Sequence, residues 1–158
     1  MEETVGGLGL VAACDRRVAS ADVRFAVPRV DLGIPLAWGG IPRLVREIGP
    51  ALTKELVMTC RPFGADEARA AGFLNRVVAE DRLDDEVDEL AEAVASRPRF
   101  AVLATKAHTN AVTEQMVGLA RSWSDADGLA GGLRDPEGRR AREHYLEERM
   151  RGKHDSDA

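Results

Sequence analysis

Segments with strand-like alternation are confined to the first half of this chain, and almost everything after Arg82 has helical periodicity. Apolar and polar residues alternate at 17–20 and 23–27, and a third short strand is predicted at 74–78. The helical part begins with an apolar stripe formed by Leu83, Val87, Leu90 and Val94. A sheet of two or three short strands is only marginally stable by itself. The pattern therefore predicts an α/β chain whose sheet expects further strands.

Gly and Pro mark the predicted ends of the helices. Segment 32–42 holds three Gly and two Pro, which predicts a structured loop ahead of a helix. Gly49-Pro50 and Arg97-Pro98 are predicted to interrupt helices, and Gly72 is predicted to close one. The helices after the loop are predicted at residues 43–48, 51–59, 65–72, 82–96, 100–112, 113–124 and 134–151.

The chain opens with a Gly-rich segment that becomes apolar. A turn at Gly6-Gly7 is predicted to precede a short buried helix, because Leu10, Ala13 and Cys14 follow helical spacing. Cys60 also lies in an apolar stretch, so both cysteines are interpreted as buried free thiols. Two cysteines are too few for a disulfide framework or a Cys-rich zinc site.

Composition narrows the class of protein. The 158 residues are 44% hydrophobic and 31% charged, as in one globular domain. A net charge of −5 argues against a nucleic-acid surface, and no apolar run approaches the roughly 20 residues of a membrane span. The acidic start of the chain lacks the basic residues of a secretory signal, which favours a cytoplasmic protein. The chain has 19 Arg and only 3 Lys, a bias that codon usage alone can produce. An arginine is therefore assigned to anion binding only where its position supports that role.

Five motifs in a fixed order cover most of the chain. They are GGLGLVAACD at 6–15, FAVPRVDLG at 25–33, GGIPRL at 39–44, ADEA with GFLNRVV within 65–78, and DPEG with YLEER within 135–149. Together they resemble the enoyl-CoA hydratase/isomerase family of the crotonase superfamily. Each motif alone is weak, and their common order makes the resemblance specific.

The resemblance implies a fold and an assembly. The expected fold is a crotonase-like α/β spiral of ββα turns that lacks the family's N-terminal strands. It is also expected to lack the segment that supplies the first of the two oxyanion-hole N–H groups. Residues 1–96 are expected to form a partial core, residues 97–151 a helical region with trimer contacts, and residues 152–158 a flexible tail. The family further implies a homotrimer or a dimer of trimers, an acyl-CoA ligand, no separate cofactor and no metal.

The resemblance also assigns site residues. Gly6 takes the position of an oxyanion-hole N–H donor at a helix N-terminus, where the dipole stabilises an enolate-like thioester oxygen. A tight Gly turn before a buried helix is the alternative. Gly9 and Arg29 stand where family hydratases carry two glutamates. Neither can act as a general base, because glycine has no side chain and arginine stays protonated.

Three further residues are candidates for substrate contact, each with a structural alternative. Asp31 shares a face with Arg29 if the chain is extended there, so the two are expected to pair at the surface. Arg29 could instead bind a carboxylate of the substrate or a CoA phosphate. Trp38 lines an acyl pocket or anchors its loop. Lys106 meets a CoA phosphate or is simply solvated.

The functional prediction is therefore an enoyl-CoA hydratase/isomerase-like protein, a lyase or isomerase class connected with fatty acid metabolism. It is expected to act on or bind acyl-CoA thioesters through an oxyanion hole, with activity impaired by the replacement of both acids. The alternative is a non-catalytic member of the same fold that serves as an oligomerisation or interaction module.

Overall fold

Two small sheets form in the first half of the chain. The structure is a computed structural model that describes residues 2–3, 5–122 and 124–156. The strands are β1 (Glu2–Glu3), β2 (Val18–Ser20), β3 (Arg24–Phe25), β4 (Phe63–Gly64) and β5 (Arg76–Val78). In one sheet β3 lies between β1, which is parallel to it, and β4, which is antiparallel. In the other sheet β2 and β5 are parallel. The two predicted neighbouring strands thus enter different sheets, and β4 was not predicted.

Helices make up most of the rest of the described chain. They are α1 (Val5–Val11), α2 (Gly40–Thr59), α3 (Ala65–Ala70), α4 (Leu83–Ala95), α5 (Arg99–Met116), α6 (Asp125–Arg134) and α7 (Pro136–Ser156). Gly49 has φ 76° and ψ 166°, which kinks α2 at the predicted Gly49-Pro50 break. Gly72, with φ 81°, follows α3 as predicted.

The predicted division of the C-terminal helices was partly wrong. Residues 100–112 and part of 113–124 form the single helix α5, because no Gly or Pro interrupts it before Gly118. Thr113 stays within this helix and its hydroxyl donates to the carbonyl of Thr109. The helix α6 was not predicted. Helix α7 continues to Ser156, so the expected tail at 152–158 is helical up to that residue, and residues 157–158 lie outside the described residues.

Three phenylalanines form the centre of the core. Phe25 packs against Phe63 at a centroid distance of 5.2 Å and against the edge of Phe73 at 5.7 Å. Helix α1 contributes Leu8, and Ala12 follows it on the same face. The predicted buried face of this first helix was wrong, since Leu10 is 71% exposed and Cys14 is also exposed. The buried face of the helix is the one that carries Leu8 and Ala12, four residues apart, and Leu10 lies on the opposite, exposed face.

Arg17 is the one charged residue that is buried among those described, with 7% of its surface exposed. Its guanidinium pairs with Glu47, donates to the carbonyls of Phe73 and Cys14, and lies 4.9 Å from the centroid of the Phe73 ring. The Arg-rich composition concealed this residue from sequence reasoning. It ties β2 to α2 and to the segment before β5.

A close backbone contact fixes the 32–42 loop against the C-terminal helices. Gly33 has φ 66°, and a Cβ at this position would lie 2.2 Å from the carbonyl oxygen of Gly138. The N–H of Gly138 donates to Asp135 Oδ2 at 2.7 Å. Only glycine fits both the conformation and the space at Gly33. This contact gives a structural reason for the glycine of the DPEG motif.

Candidate functional site

Gly6 and Arg29 follow the ends of two neighbouring parallel strands. Glu3 of β1 is in register with Phe25 of β3. Gly6 comes shortly after β1 and Arg29 shortly after β3, so both lie beyond the carboxyl ends of adjacent strands. In open α/β sheets this edge is the usual place for a ligand.

Helix α1 already includes Gly6, which corrects the predicted Gly turn. Gly6 is the second residue of the helix, so its N–H is among the four that no carbonyl of the same helix accepts. Gly9 lies in the interior of α1, and a Cβ placed there would meet nothing within 4 Å. The position that the resemblance assigns to the first acid therefore has room for a side chain.

Arg29 is half-buried in a turn and stacks on Trp38, with its Cζ 4.6 Å from the ring centroid. Its Nε is the only buried side-chain polar atom without a hydrogen-bond partner in the part of the chain that the structure describes. Burial lowers the pKa of the Arg29 guanidinium below its usual value. A buried donor without a partner costs about 1–3 kcal/mol, so Arg29 is a cation poised for an acceptor.

Asp31 does not pair with Arg29, and that expectation was wrong. Residues 28–33 form turns and not an extended strand, so the two side chains do not share a face. Asp31 is exposed and lies close to Cys60. Burial raises the pKa of the Cys60 thiol, and the Asp31 carboxylate acts in the same direction by charge repulsion of the thiolate.

The loop that carries Trp38 is held in an unusual backbone conformation. Trp38 has φ 57° and Gly39 has φ 67°, and a left-handed conformation costs about 1–3 kcal/mol in a non-glycine residue. Two contacts hold it there: Gly39 N–H donates to Asp125 Oδ2 at 2.7 Å, and Arg43 Nη1 donates to the Trp38 carbonyl at 2.8 Å. The Trp38 side chain is 64% exposed, so its ring lies at the surface and is not part of the buried core.

A cavity of about 360 Å³ lies beside this loop. Its lining includes Trp38, Gly39, Arg43 and Asp125 together with apolar residues of the helical region, such as Leu119 and Leu129. Sequence reasoning missed Asp125, for which no motif gave a signal. It also missed Arg43, although this residue lies in the GGIPRL motif.

A second and larger cavity of about 1070 Å³ is open to solvent and carries positive charge. Six basic residues line it, against two acids; the basic residues are Arg16, Arg43, Arg46, Arg76, Arg97 and Lys106. Lys106 on α5 pairs with Asp15, and both side chains are 55% exposed. Arg43 and Leu119 line both cavities, so the two are adjacent. A positive cleft in a chain of net charge −5 favours an anionic ligand.

The described residues contain neither a metal-ligating cluster nor a membrane-spanning helix. No three His, Cys, Asp or Glu side chains come together there as they would around a metal ion. None of the described helices is both long and apolar enough to cross a membrane.

The fold is that of solved enoyl-CoA hydratases. An enoyl-CoA hydratase/isomerase from Pseudoalteromonas atlantica superposes with a TM-score of 0.83 and 26% identity, over 93% of this chain and 58% of that chain. The enoyl-CoA hydratase of Mycobacterium smegmatis gives a TM-score of 0.76 at 26% identity, over 84% of this chain and 60% of that one. The architecture is therefore the crotonase-like α/β fold that the motifs predicted.

The sequence matches the Enoyl-CoA hydratase/isomerase family over residues 3–152, and the chain belongs to this family. It is 45% identical to a short-chain-enoyl-CoA hydratase of Clostridioides difficile over 102 residues, which are 65% of this chain and 66% of that protein. It is 37% identical to a crotonyl-CoA hydratase of Syntrophomonas wolfei, over 82% of this chain and 50% of that protein. The chain thus spans between half and two thirds of the length of these two relatives.

Proposed function

We propose that this chain binds acyl-CoA thioesters, with the N–H of Gly6 as a donor to the thioester oxygen. The observation that carries the proposal is the parallel pairing of β1 and β3, after which Gly6 and Arg29 follow at one sheet edge. The basic cleft around Lys106 gives the CoA phosphates a site of opposite charge. The residues at the two acid positions, Gly9 and Arg29, impair hydration. The free thiols of the two cysteines suit the reducing cytoplasm.

Gly6→Val tests the oxyanion donor. A branched side chain at the thioester is expected to raise the Kd of crotonyl-CoA about tenfold, the loss of roughly one hydrogen bond. Isothermal titration calorimetry measures the Kd, and circular dichroism checks that the variant folds. Gly9→Ala is the matched control in the same helix, since its Cβ meets open space. Equal affinity in Gly6→Val and the unmodified chain would exclude Gly6, and no binding by the unmodified chain would exclude the function.

The exposed apolar residues of α5 favour a second candidate function, an assembly module. Phe100 is 85% exposed and Leu103, one turn along, is 52% exposed. None of the residues of α5 is buried. In this proposal the helical region 97–151 forms the contacts of a homotrimer or a dimer of trimers, outside the partial core at 1–96. Apolar side chains of this size gain about 1.5–3 kcal/mol each when an interface covers them.

Phe100→Asp is expected to break that assembly. The loss of one buried Phe per contact raises the dissociation constant of the oligomer at least about tenfold. Light scattering coupled to size exclusion at micromolar concentration measures the mass. Met58→Asp, at a residue 69% exposed on α2, is the control for placing a charge on a surface apolar residue. A monomeric unmodified chain would refute the module, and an unchanged mass in Phe100→Asp would exclude this face.

A further inference from the structure

We infer that Arg29, held on the ring of Trp38, binds a carboxylate on the acyl group of the thioester. The inference rests on the proposed function and adds the substrate class: dicarboxylic acyl-CoA thioesters, such as the malonyl and succinyl types. A neutral acyl group offers this guanidinium no charged acceptor. A terminal carboxylate offers two oxygens in the plane that an Arg fork recognises.

The Arg29 cation has no partner among the described residues. Within the described chain no acid pairs with Arg29 and no acceptor bonds its guanidinium, and its Nε is shielded from water without a hydrogen bond. Asp31, the nearest acid in sequence, lies beside Cys60 instead. By contrast, Arg17 and Arg61, which are also partly or wholly withdrawn from water, have carboxylate partners.

The ring of Trp38 covers one face of the Arg29 guanidinium. With this stacking at 4.6 Å, the terminal Nη amino groups, which are not among the buried atoms, remain as in-plane donors for a ligand. The contacts of Asp125 and Arg43 hold the backbone of the loop at Gly39 and Trp38, so the ring that stacks on the guanidinium projects from a fixed backbone position. Such a fixed position reduces the entropy that binding would cost.

Arg29 also lies near the proposed thioester site. Arg29 follows β3 at the same sheet edge as Gly6, where the thioester is proposed to bind. Trp38 also lines the smaller cavity, which is adjacent to the basic cleft because Arg43 lines both. One ligand would therefore meet two positively charged places on the protein, with its acyl carboxylate at Arg29 and its CoA phosphates in the cleft.

Calorimetric titrations of the full chain with crotonyl-CoA and succinyl-CoA test this inference. The measured quantity is the ratio of their two Kd values at fixed salt concentration. Succinyl-CoA is expected to bind at least about tenfold more tightly, and Arg29→Gln is expected to reduce that preference to about twofold or less. The basic cleft attracts any additional negative charge on the ligand. The preference for succinyl-CoA that remains in Arg29→Gln therefore measures this non-specific attraction.

Two variants separate ligand recognition from structure. Arg29→Lys keeps the charge but loses the planar fork, so an intermediate preference is expected. Arg140→Gln, at an exposed arginine on α7, is expected to keep the full preference. Binding of crotonyl-CoA without a preference for succinyl-CoA, or a preference that persists in Arg29→Gln, overturns this inference and leaves the proposed function intact. Failure to bind either thioester overturns the proposed function and this inference with it.

Discussion

Crotonyl-CoA is expected to be hydrated by this chain at least a hundredfold more slowly than by the short-chain-enoyl-CoA hydratase of Clostridioides difficile. Hydration needs groups that hold water and transfer its proton, and one such group contributes about 10²–10⁴-fold in rate. At the two positions that the resemblance assigns to these acids, Gly9 has no side chain and Arg29 stays protonated. None of the contacts around Arg29 brings another carboxylate to it.

The loss of the ultraviolet absorbance of the enoyl thioester gives the rate of hydration under identical conditions for both proteins.

 The double variant Gly9→Glu with Arg29→Glu returns a carboxylate to both positions and is expected to raise the rate at least about tenfold. Gly9→Ala with Arg29→Gln is the matched control, because it changes the same positions without adding an acid. Turnover by the unmodified chain within tenfold of the reference hydratase would show that these positions are not the ones that matter.

Arg17→Met is expected to lower the free energy of unfolding by about 3 kcal/mol, the lower end for breaking a buried ion pair. The pair is withdrawn from water, with 6% of the Arg17 side chain and 24% of the Glu47 side chain exposed. The variant leaves Glu47 without its cation and two carbonyls without a donor. Such a loss is a large share of the roughly 5–15 kcal/mol that stabilises a domain.

Urea unfolding followed by circular dichroism measures this change, at one protein concentration because assembly alters apparent stability. Arg16→Met is the matched control at the neighbouring exposed arginine and is expected to change the free energy of unfolding by less than about 0.5 kcal/mol. If Arg17→Met does not fold, Glu47→Gln removes only the negative charge and leaves an acceptor for the guanidinium. Equal stability of Arg17→Met and Arg16→Met would contradict a role for the ion pair.

Local signals in the sequence predicted many of the elements. Gly49-Pro50 interrupts α2 at the predicted place, because proline removes a donor and glycine adopts a positive φ. Helix α4 has the predicted stripe, although Val87 within it is 45% exposed. The strand β4 escaped prediction, since Phe63 and Gly64 are too few to show alternation. Their pairing with β3 depends on residues far away in the chain.

The sequence predicted some features of the candidate site, and only the structure showed the others. The motifs alone assigned Gly6, Gly9 and Arg29 to family positions. They could not predict that Arg29 lies on Trp38, because this contact depends on a left-handed loop conformation held by Asp125. The sequence also predicted an Arg29–Asp31 pair from extended geometry, and the turn at 28–33 excludes it.

The sequence by itself determined the family of this chain and the order of most of its elements, and it supplied the positions that the resemblance assigns to acids. These properties depend on residue identity and on spacing along the chain, which a sequence states directly. Only the tertiary structure decided that Arg17 is buried with a carboxylate partner and that the buried Nε of Arg29 has no partner. The physical reason is that desolvation and pairing depend on groups that folding brings together from distant segments, here α2 for Arg17 and the Trp38 loop for Arg29.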